Sequence, residues 1–185
     1  MAKRNILKIT QTALLLALLL VIQFLTIPYG QIVTGTLVNL ILLLGVMLIG
    51  WGPGIFIAFT SPLSAFMLGF GPALIQVVVF IAGANCLFVT LAWLLARKSI
   101  IDRKKTIVSI FALIAAGVAK TAFLWIGLVK IALPLLPGLT PQQNTVIAAS
   151  FTWPQLLTAF TGSLLALFSV PILHQVLRQS EKVAQ

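Results

Sequence analysis

The chain has 185 residues, of which 61% are hydrophobic and only 8% are charged, and its 12 basic against 2 acidic residues give a formal net charge of +10. Soluble domains carry about 25% charged residues, so this composition excludes a soluble enzyme or binding domain and indicates an integral membrane protein. Because the basic residues flank long apolar stretches, they indicate membrane topology and not a nucleic-acid surface.

Six apolar stretches predict an all-α membrane protein with six transmembrane helices in a single domain over residues 1–185. A bilayer core of about 30 Å needs roughly 20 apolar residues, so we expect the shorter stretches to be tilted or kinked. In chain order, the predicted spans are 6–27, 36–49, 55–68, 73–96, 106–128 and 148–173.

Turn signals and polar segments separate these spans and predict their ends. The predicted connections are the turn 28–30 with a polar loop 31–35, tight turns at 50–54 and 69–72, a charged segment 97–105, a proline-rich loop 130–144 and a polar tail 174–185.

The basic residues predict the orientation of these six spans. An even number of spans puts both termini on one side, and Lys130 then stands alone on the opposite side. By the positive-inside rule, the more basic side is cytoplasmic. The residues on that side are Lys3, Arg4, Lys8, Arg97, Lys98, Arg103, Lys104, Lys105, Arg178 and Lys182.

Lys120 is the most unusual residue because its charge lies inside the predicted span 106–128. A cation at the centre of a membrane helix costs roughly 2.5–3.5 kcal/mol, and no carboxylate lies in any apolar stretch to pair with it. It lies about 14 residues, or roughly 21 Å, from the cytoplasmic end of its helix. Either Lys120 binds an anionic ligand group in the outer half of the membrane, or it extends to the lipid headgroups.

Other polar residues also occur towards the predicted outer half of the spans and indicate a pocket open to the outside. Asn39 and Asn85 are candidate ligand contacts, although each amide could instead join two helices. Gln155 is a further candidate. Trp153 could stack on a ligand or anchor its helix at the membrane interface. The chain has no intramembrane carboxylate for a proton relay. It also has no set of residues suited to metal binding or nucleophilic catalysis, so we expect that it is not an enzyme and has no cofactor of its own.

The first span carries small residues at i and i+4, Ala13 and Ala17, a spacing that lets another helix come close. Further short motifs are GTLVN at 35–39, GWGPG at 50–54, SP at 61–62, GAN at 83–85, AK at 119–120 and WPQL at 153–156. With these motifs and the alanine pattern, the chain resembles the substrate-binding S component of energy-coupling factor (ECF) vitamin transporters over essentially its whole length.

The resemblance implies a transport mechanism without an energy source in this chain. An S component captures a vitamin in an outward pocket that is capped by loops. It then docks through its alanine motif, here Ala13 and Ala17, on a transmembrane coupling protein (T component). Two partner ATPases that use ATP and Mg²⁺ complete the module, and the S component topples to deliver the vitamin inward. The resemblance places the protein in a bacterial cell membrane.

The sequence leaves two classes of substrate open. Lys120 favours an anion such as pantothenate, whereas neutral hydroxymethylpyrimidine or pyridoxine would use Asn and Gln side chains. The alternative is a structural or assembly protein of the membrane without a small ligand.

Overall fold

The computed structural model of the protein describes residues 2–70, 72–102, 106–136 and 138–183. These residues form an all-helical bundle, as predicted, and most of the long helices extend beyond the predicted spans. The helices are α1 Ala2–Thr26, α2 Gly30–Leu44, α3 Trp51–Met67, α4 Ile75–Asp102, α5 Thr106–Phe123, α6 Leu133–Leu135, α7 Pro141–Ser150 and α8 Trp153–Val183. Two π-helical segments, Gly45–Ile49 and Leu124–Ala132, extend α2 and join α5 to α6.

Four ranges within the described residues are long and apolar enough to cross a membrane. They are Asn5–Ile49, Ile75–Ile101, Thr106–Leu135 and Pro141–Gln179. The prediction of long apolar helices that are able to cross a membrane is therefore confirmed, whereas the number of spans and their orientation remain predictions.

The 45-residue range Asn5–Ile49 is folded back on itself. The hydroxyl of Thr34 donates to that of Thr26 at 2.8 Å, and further along the two helices Leu15 lies beside Gly45. Helices α1 and α2 are therefore antiparallel neighbours, joined by the short 3₁₀ turn Ile27–Tyr29.

Helices α2 and α8 run parallel and approach very closely. A Cβ atom on Gly35 would lie 2.9 Å from Thr158 Cγ2, and one on Gly162 would lie 2.7 Å from the carbonyl oxygen of Thr36. The hydroxyls of Thr36 and Thr161 are 2.7 Å apart across the same contact. This close packing of small residues is typical of helix contacts in membranes and brings the polar residues of α2 and α8 together.

The prediction of a loop at 31–35 is wrong, because this segment forms the first turn and a half of α2. The hydroxyl of Thr34 also lies 3.1 Å from the carbonyl oxygen of Thr26 and 3.2 Å from that of Gly30, so its single proton has acceptors within the helical hairpin. Gly35 is used for the close approach of α8 and not for a turn.

Three further predicted connections are shorter than expected. The break at 50–54 is confined to Gly50, which has φ +136°, because Pro53 fits the first turn of α3. Of the predicted loop 130–144, residues up to Leu135 are helical. The charged segment 97–105 is helical up to Asp102, and its residues 103–105 lie outside the described part.

The C-terminal segment is more helical than predicted, whereas a turn follows α3 as predicted. The predicted tail 174–185 is helical up to Val183 because α8 continues through Pro171. The predicted turn at 69–72 includes Gly69, which has φ +81°, whereas Gly71 lies outside the described residues.

Candidate functional site

A cavity of about 740 Å³ opens at the end of the bundle where α1 ends and α2 begins. Its walls come from the C-terminal parts of α1 and α3, the N-terminal parts of α2, α4 and α8, and α7. Most of its lining side chains are apolar. Buried Val77 and Phe151 contribute to the lining. The deepest lining residues of α2 and α4 are Asn39 and Asn85, and the main buried core begins beyond them at Ile41 and Phe88.

Among the described residues that line the cavity, Lys120 is the only one with a charged side chain. It is 3% exposed, and its Nζ atom donates a hydrogen bond to Oδ1 of Asn39 at 2.6 Å. Nδ2 of Asn39 in turn donates to the hydroxyl of Thr158 at 3.3 Å, and that hydroxyl donates to the carbonyl oxygen of Gln155. A neutral amide thus holds the buried ammonium, and the cation has no counter-charge within the described part of the chain.

Phe88 supports the other side of this ammonium. Nζ of Lys120 lies 5.3 Å from the centre of the Phe88 ring, which is fully buried. A cation over a ring face gains about 0.5–2 kcal/mol, which offsets part of the cost of burial. Lys120 therefore lies buried at the floor of the cavity, in contact with Asn39 and Phe88.

Three other polar side chains at the cavity have buried atoms without hydrogen-bond partners in the described structure. They are Gln23 through Oε1, Ser61 through Oγ and Asn85 through Oδ1. An unpaired buried polar group costs about 1–3 kcal/mol, and such groups in native proteins usually meet water or a ligand. Three of the seven such groups in the described structure line this one cavity, which makes it a candidate binding site for a polar solute.

Helix α7 covers one side of the cavity. Thr140 caps its N-terminus in a reciprocal pair of hydrogen bonds with Gln143, which explains why a helix begins directly after the proline-rich segment. At its other end, Nε2 of Gln31 on α2 donates to the carbonyl oxygen of Ser150 at 2.6 Å. This bond joins the cover to the wall of the cavity.

Of the five predicted ligand contacts, the structure brings four together. Lys120, Asn39, Asn85 and Gln155 all line the cavity. The fifth, Trp153, is not among the lining residues and is 64% exposed at the start of α8, a position that fits an interface anchor.

A comparison with models of protein families identifies the family of this chain. The model of the family described as ECF transporter, substrate-specific component, matches residues 7–174, which is most of the chain. The chain belongs to this family. It is therefore a multi-pass membrane protein and a transporter subunit, not an enzyme, as the sequence predicted. No curated protein and no solved structure gives a match to this S component.

The predicted docking residues of the S component lie on its surface. Ala13 and Ala17 are both exposed on α1, beside Leu14, which is 67% exposed.

The described residues contain no group of three His, Cys, Asp or Glu side chains that could hold a metal ion. The cavity therefore offers hydrogen bonds and one positive charge as its chemistry.

Sequence reasoning missed Gln23 and Ser61 as site residues of the S component. Both are polar residues inside apolar stretches, which is the signal that identified Lys120 and Asn85. Ser61 was used only together with Pro62, as part of the family resemblance. Gln23 lies near the end of the predicted span 6–27, where a polar residue is ordinary, so its position gives a weaker signal.

Proposed function

We propose that this S component captures a small water-soluble vitamin or vitamin precursor in the cavity at the end of the bundle, and that a pantothenate-like anion is the favoured substrate. The observation that carries this proposal is the buried ammonium of Lys120, which lines the cavity and pairs only with the neutral Asn39 among the described residues. A ligand carboxylate would supply the missing counter-charge through a charge-assisted hydrogen bond.

Neutral heterocycles such as hydroxymethylpyrimidine and pyridoxine are the next candidates. The amides of Asn85, Gln23 and Gln155 could bind the polar edges of their rings. In that case Lys120 would donate to a ring nitrogen or a hydroxyl group, and its charge would add less to the affinity.

We propose six transmembrane spans, with both termini in the cytoplasm of a bacterial cell. The antiparallel α1–α2 hairpin supports two spans within the first apolar range. The cavity opens at the end of the bundle opposite the N-terminus and the basic residues Arg97 and Lys98, so it would face outwards.

Delivery of the substrate would depend on partner proteins. The exposed Ala13 and Ala17 would dock on a T component, and two ATPases would hydrolyse ATP with Mg²⁺ while the S component topples and opens its cavity inwards. This chain would need no cofactor of its own.

The first experiment is thermal unfolding of the purified protein with a panel of water-soluble vitamins, carried out in parallel on the variant Lys120→Met. A ligand at 100 times its dissociation constant stabilises a protein by about 2.7 kcal/mol, which is readily measured. We expect an anionic vitamin to stabilise the wild type and not the variant. Stabilisation of both proteins by a neutral vitamin would keep the transport function and reject the anion.

Co-purification provides the second test. The S component, expressed with a T component and two ATPases, should elute with them as one complex. If no complex forms and no vitamin on the panel binds, the structural or assembly function would replace the transport function.

A further inference from the structure

The unpaired polar groups of the cavity occur at different depths along the wall formed by α3 and α4. The indole Nε1 of Trp51 donates to Thr90, and Sγ of Cys86 lies 4.0 Å from the carbonyl oxygen of Ile55. Helices α3 and α4 therefore run antiparallel. These two contacts fix the register of the antiparallel pair.

This register orders the polar groups from the floor of the cavity towards its opening. Asn85 lies three residues from Phe88, the residue under the ammonium of Lys120, so Asn85 and Lys120 are both near the floor. Ser61 is six residues beyond Ile55 and faces the part of α4 around residue 80. It therefore lies roughly 8 Å further towards the opening than Asn85.

The side chain of Asn85 is suited to a ligand and not to helix packing. It is 3% exposed, it lines the cavity, and its amide makes no hydrogen bond within the described structure. An amide that joined two helices would have a partner on the neighbouring helix, as Asn39 has in Thr158. Asn85 thus offers one acceptor and two donors beside the ammonium of Lys120.

We infer that the substrate is an elongated organic anion that enters with its negative group foremost. The anionic group lies against Lys120 at the floor, a hydroxyl or amide group of the substrate pairs with Asn85, and a second polar group reaches Ser61. This inference rests on the proposed function and adds the substrate class and its direction of binding. A compact anion without hydrogen-bond donors would leave both Asn85 and Ser61 unpaired.

The test uses three probes and calorimetric binding to the purified protein. Pantothenate carries a carboxylate, an amide and hydroxyl groups; pantothenol replaces the carboxylate by an alcohol; nicotinate is a short carboxylate without a donor. The variants are Lys120→Met and Asn85→Leu, which keeps the side-chain size. Gln76→Leu is the control, since Gln76 is exposed on the same helix and does not line the cavity.

We expect pantothenate to bind the wild type at least about tenfold more tightly than either other probe. Lys120→Met should remove the difference between pantothenate and pantothenol. Asn85→Leu should weaken both by at least about tenfold, because each loses the partner of its amide or hydroxyl. The empty Asn85→Leu protein should melt no lower than the wild type, since it loses an unpaired group, and Gln76→Leu should bind like the wild type.

Unchanged binding of pantothenate to Asn85→Leu would overturn the inference, and so would equal affinity of the wild type for pantothenate and nicotinate. Failure of pantothenate and pantothenol to bind would also overturn it, even where the protein still assembles with a T component and two ATPases. The transport function is judged separately by that assembly, so the two failures are distinguishable.

Discussion

Nζ of Lys120 on α5 lies 2.6 Å from Oδ1 of Asn39 on α2, so a buried cation is held by a neutral amide. Burial of a charge without a counter-charge is costly, and removal of the amide that accepts its hydrogen bond is more costly still. The pair thus contributes little to stability, and its arrangement is understandable if the counter-charge arrives with the ligand.

This pairing predicts an order of stability among variants of the empty protein. Asn39→Leu should be the least stable, by about 2–3 kcal/mol relative to the wild type, because it leaves the ammonium of Lys120 without its acceptor. Lys120→Met should be close to the wild type, because it removes a buried charge but leaves the amide oxygen of Asn39 unpaired. The double variant should be at least as stable as Lys120→Met.

Denaturation of the four proteins in the same detergent measures this double-mutant cycle. The coupling between the two positions should be about 1–3 kcal/mol. Additive effects would mean that the hydrogen bond between Lys120 and Asn39 contributes nothing in solution.

The floor of the cavity was predictable from the sequence because single polar residues in apolar spans are conspicuous. Lys120, Asn39 and Asn85 were identified in this way, and the structure brings all three to one cavity. The helix ends were less predictable. Thr34 and Gly35 have the composition of a loop, but the hydroxyl of Thr34 bonds within its hairpin and Gly35 packs against Thr158. Such contacts between distant segments leave no local signal.

The cover of the cavity was not predictable for a similar reason. The proline-rich composition of 130–144 indicates a loop, yet Pro141 occupies the first turn of α7, where a proline is tolerated, and Thr140 and Gln143 cap that helix. The bond from Gln31 to Ser150 joins residues 119 positions apart. Its existence depends on the packing of α2 and α8.

Thr158 should orient the amide of Asn39 through its hydroxyl, to which Nδ2 of Asn39 donates at 3.3 Å. Thr158→Val keeps the methyl group that packs on Gly35 but removes the hydroxyl, so Oδ1 of Asn39 is no longer fixed towards Lys120. We expect about 1 kcal/mol weaker binding of an anionic ligand, roughly a fivefold higher Kd. Thr158→Ser is the matched control and should bind normally in calorimetry. If Ser weakens binding as much as Val, the methyl contact matters as much as the hydroxyl, and the predicted specific role of the hydrogen bond to Asn39 is wrong.

Gly162 should be intolerant of any side chain because α2 and α8 meet there. A Cβ atom would lie 2.7 Å from the carbonyl oxygen of Thr36 and 2.8 Å from Cβ of Asn39. Gly162→Ala should therefore push α2 away from α8, lower the free energy of unfolding by about 1–3 kcal/mol and weaken ligand binding through the displaced Asn39.

Gly52→Ala is the control for this prediction, since nothing lies within 4 Å of the position of its Cβ atom in the first turn of α3. It should leave stability unchanged or raise it by up to about 1 kcal/mol, because alanine favours a helix more than glycine does. Equal melting temperatures for the two variants would show that the contact at Gly162 relaxes without cost.

The exposed surface of α1 around Ala13 and Ala17 should be needed for transport and not for binding. Replacement of both by leucine adds bulk where a coupling protein would approach, but neither residue lines the cavity. Cells with the double variant should lose vitamin uptake, while the purified variant binds its vitamin with wild-type affinity. Ala115→Leu, at an exposed position on α5, is the control and should leave uptake unchanged. Normal uptake by the double variant would exclude this surface from docking, and loss of uptake in the control as well would indicate a general effect of bulk on the lipid-facing surface.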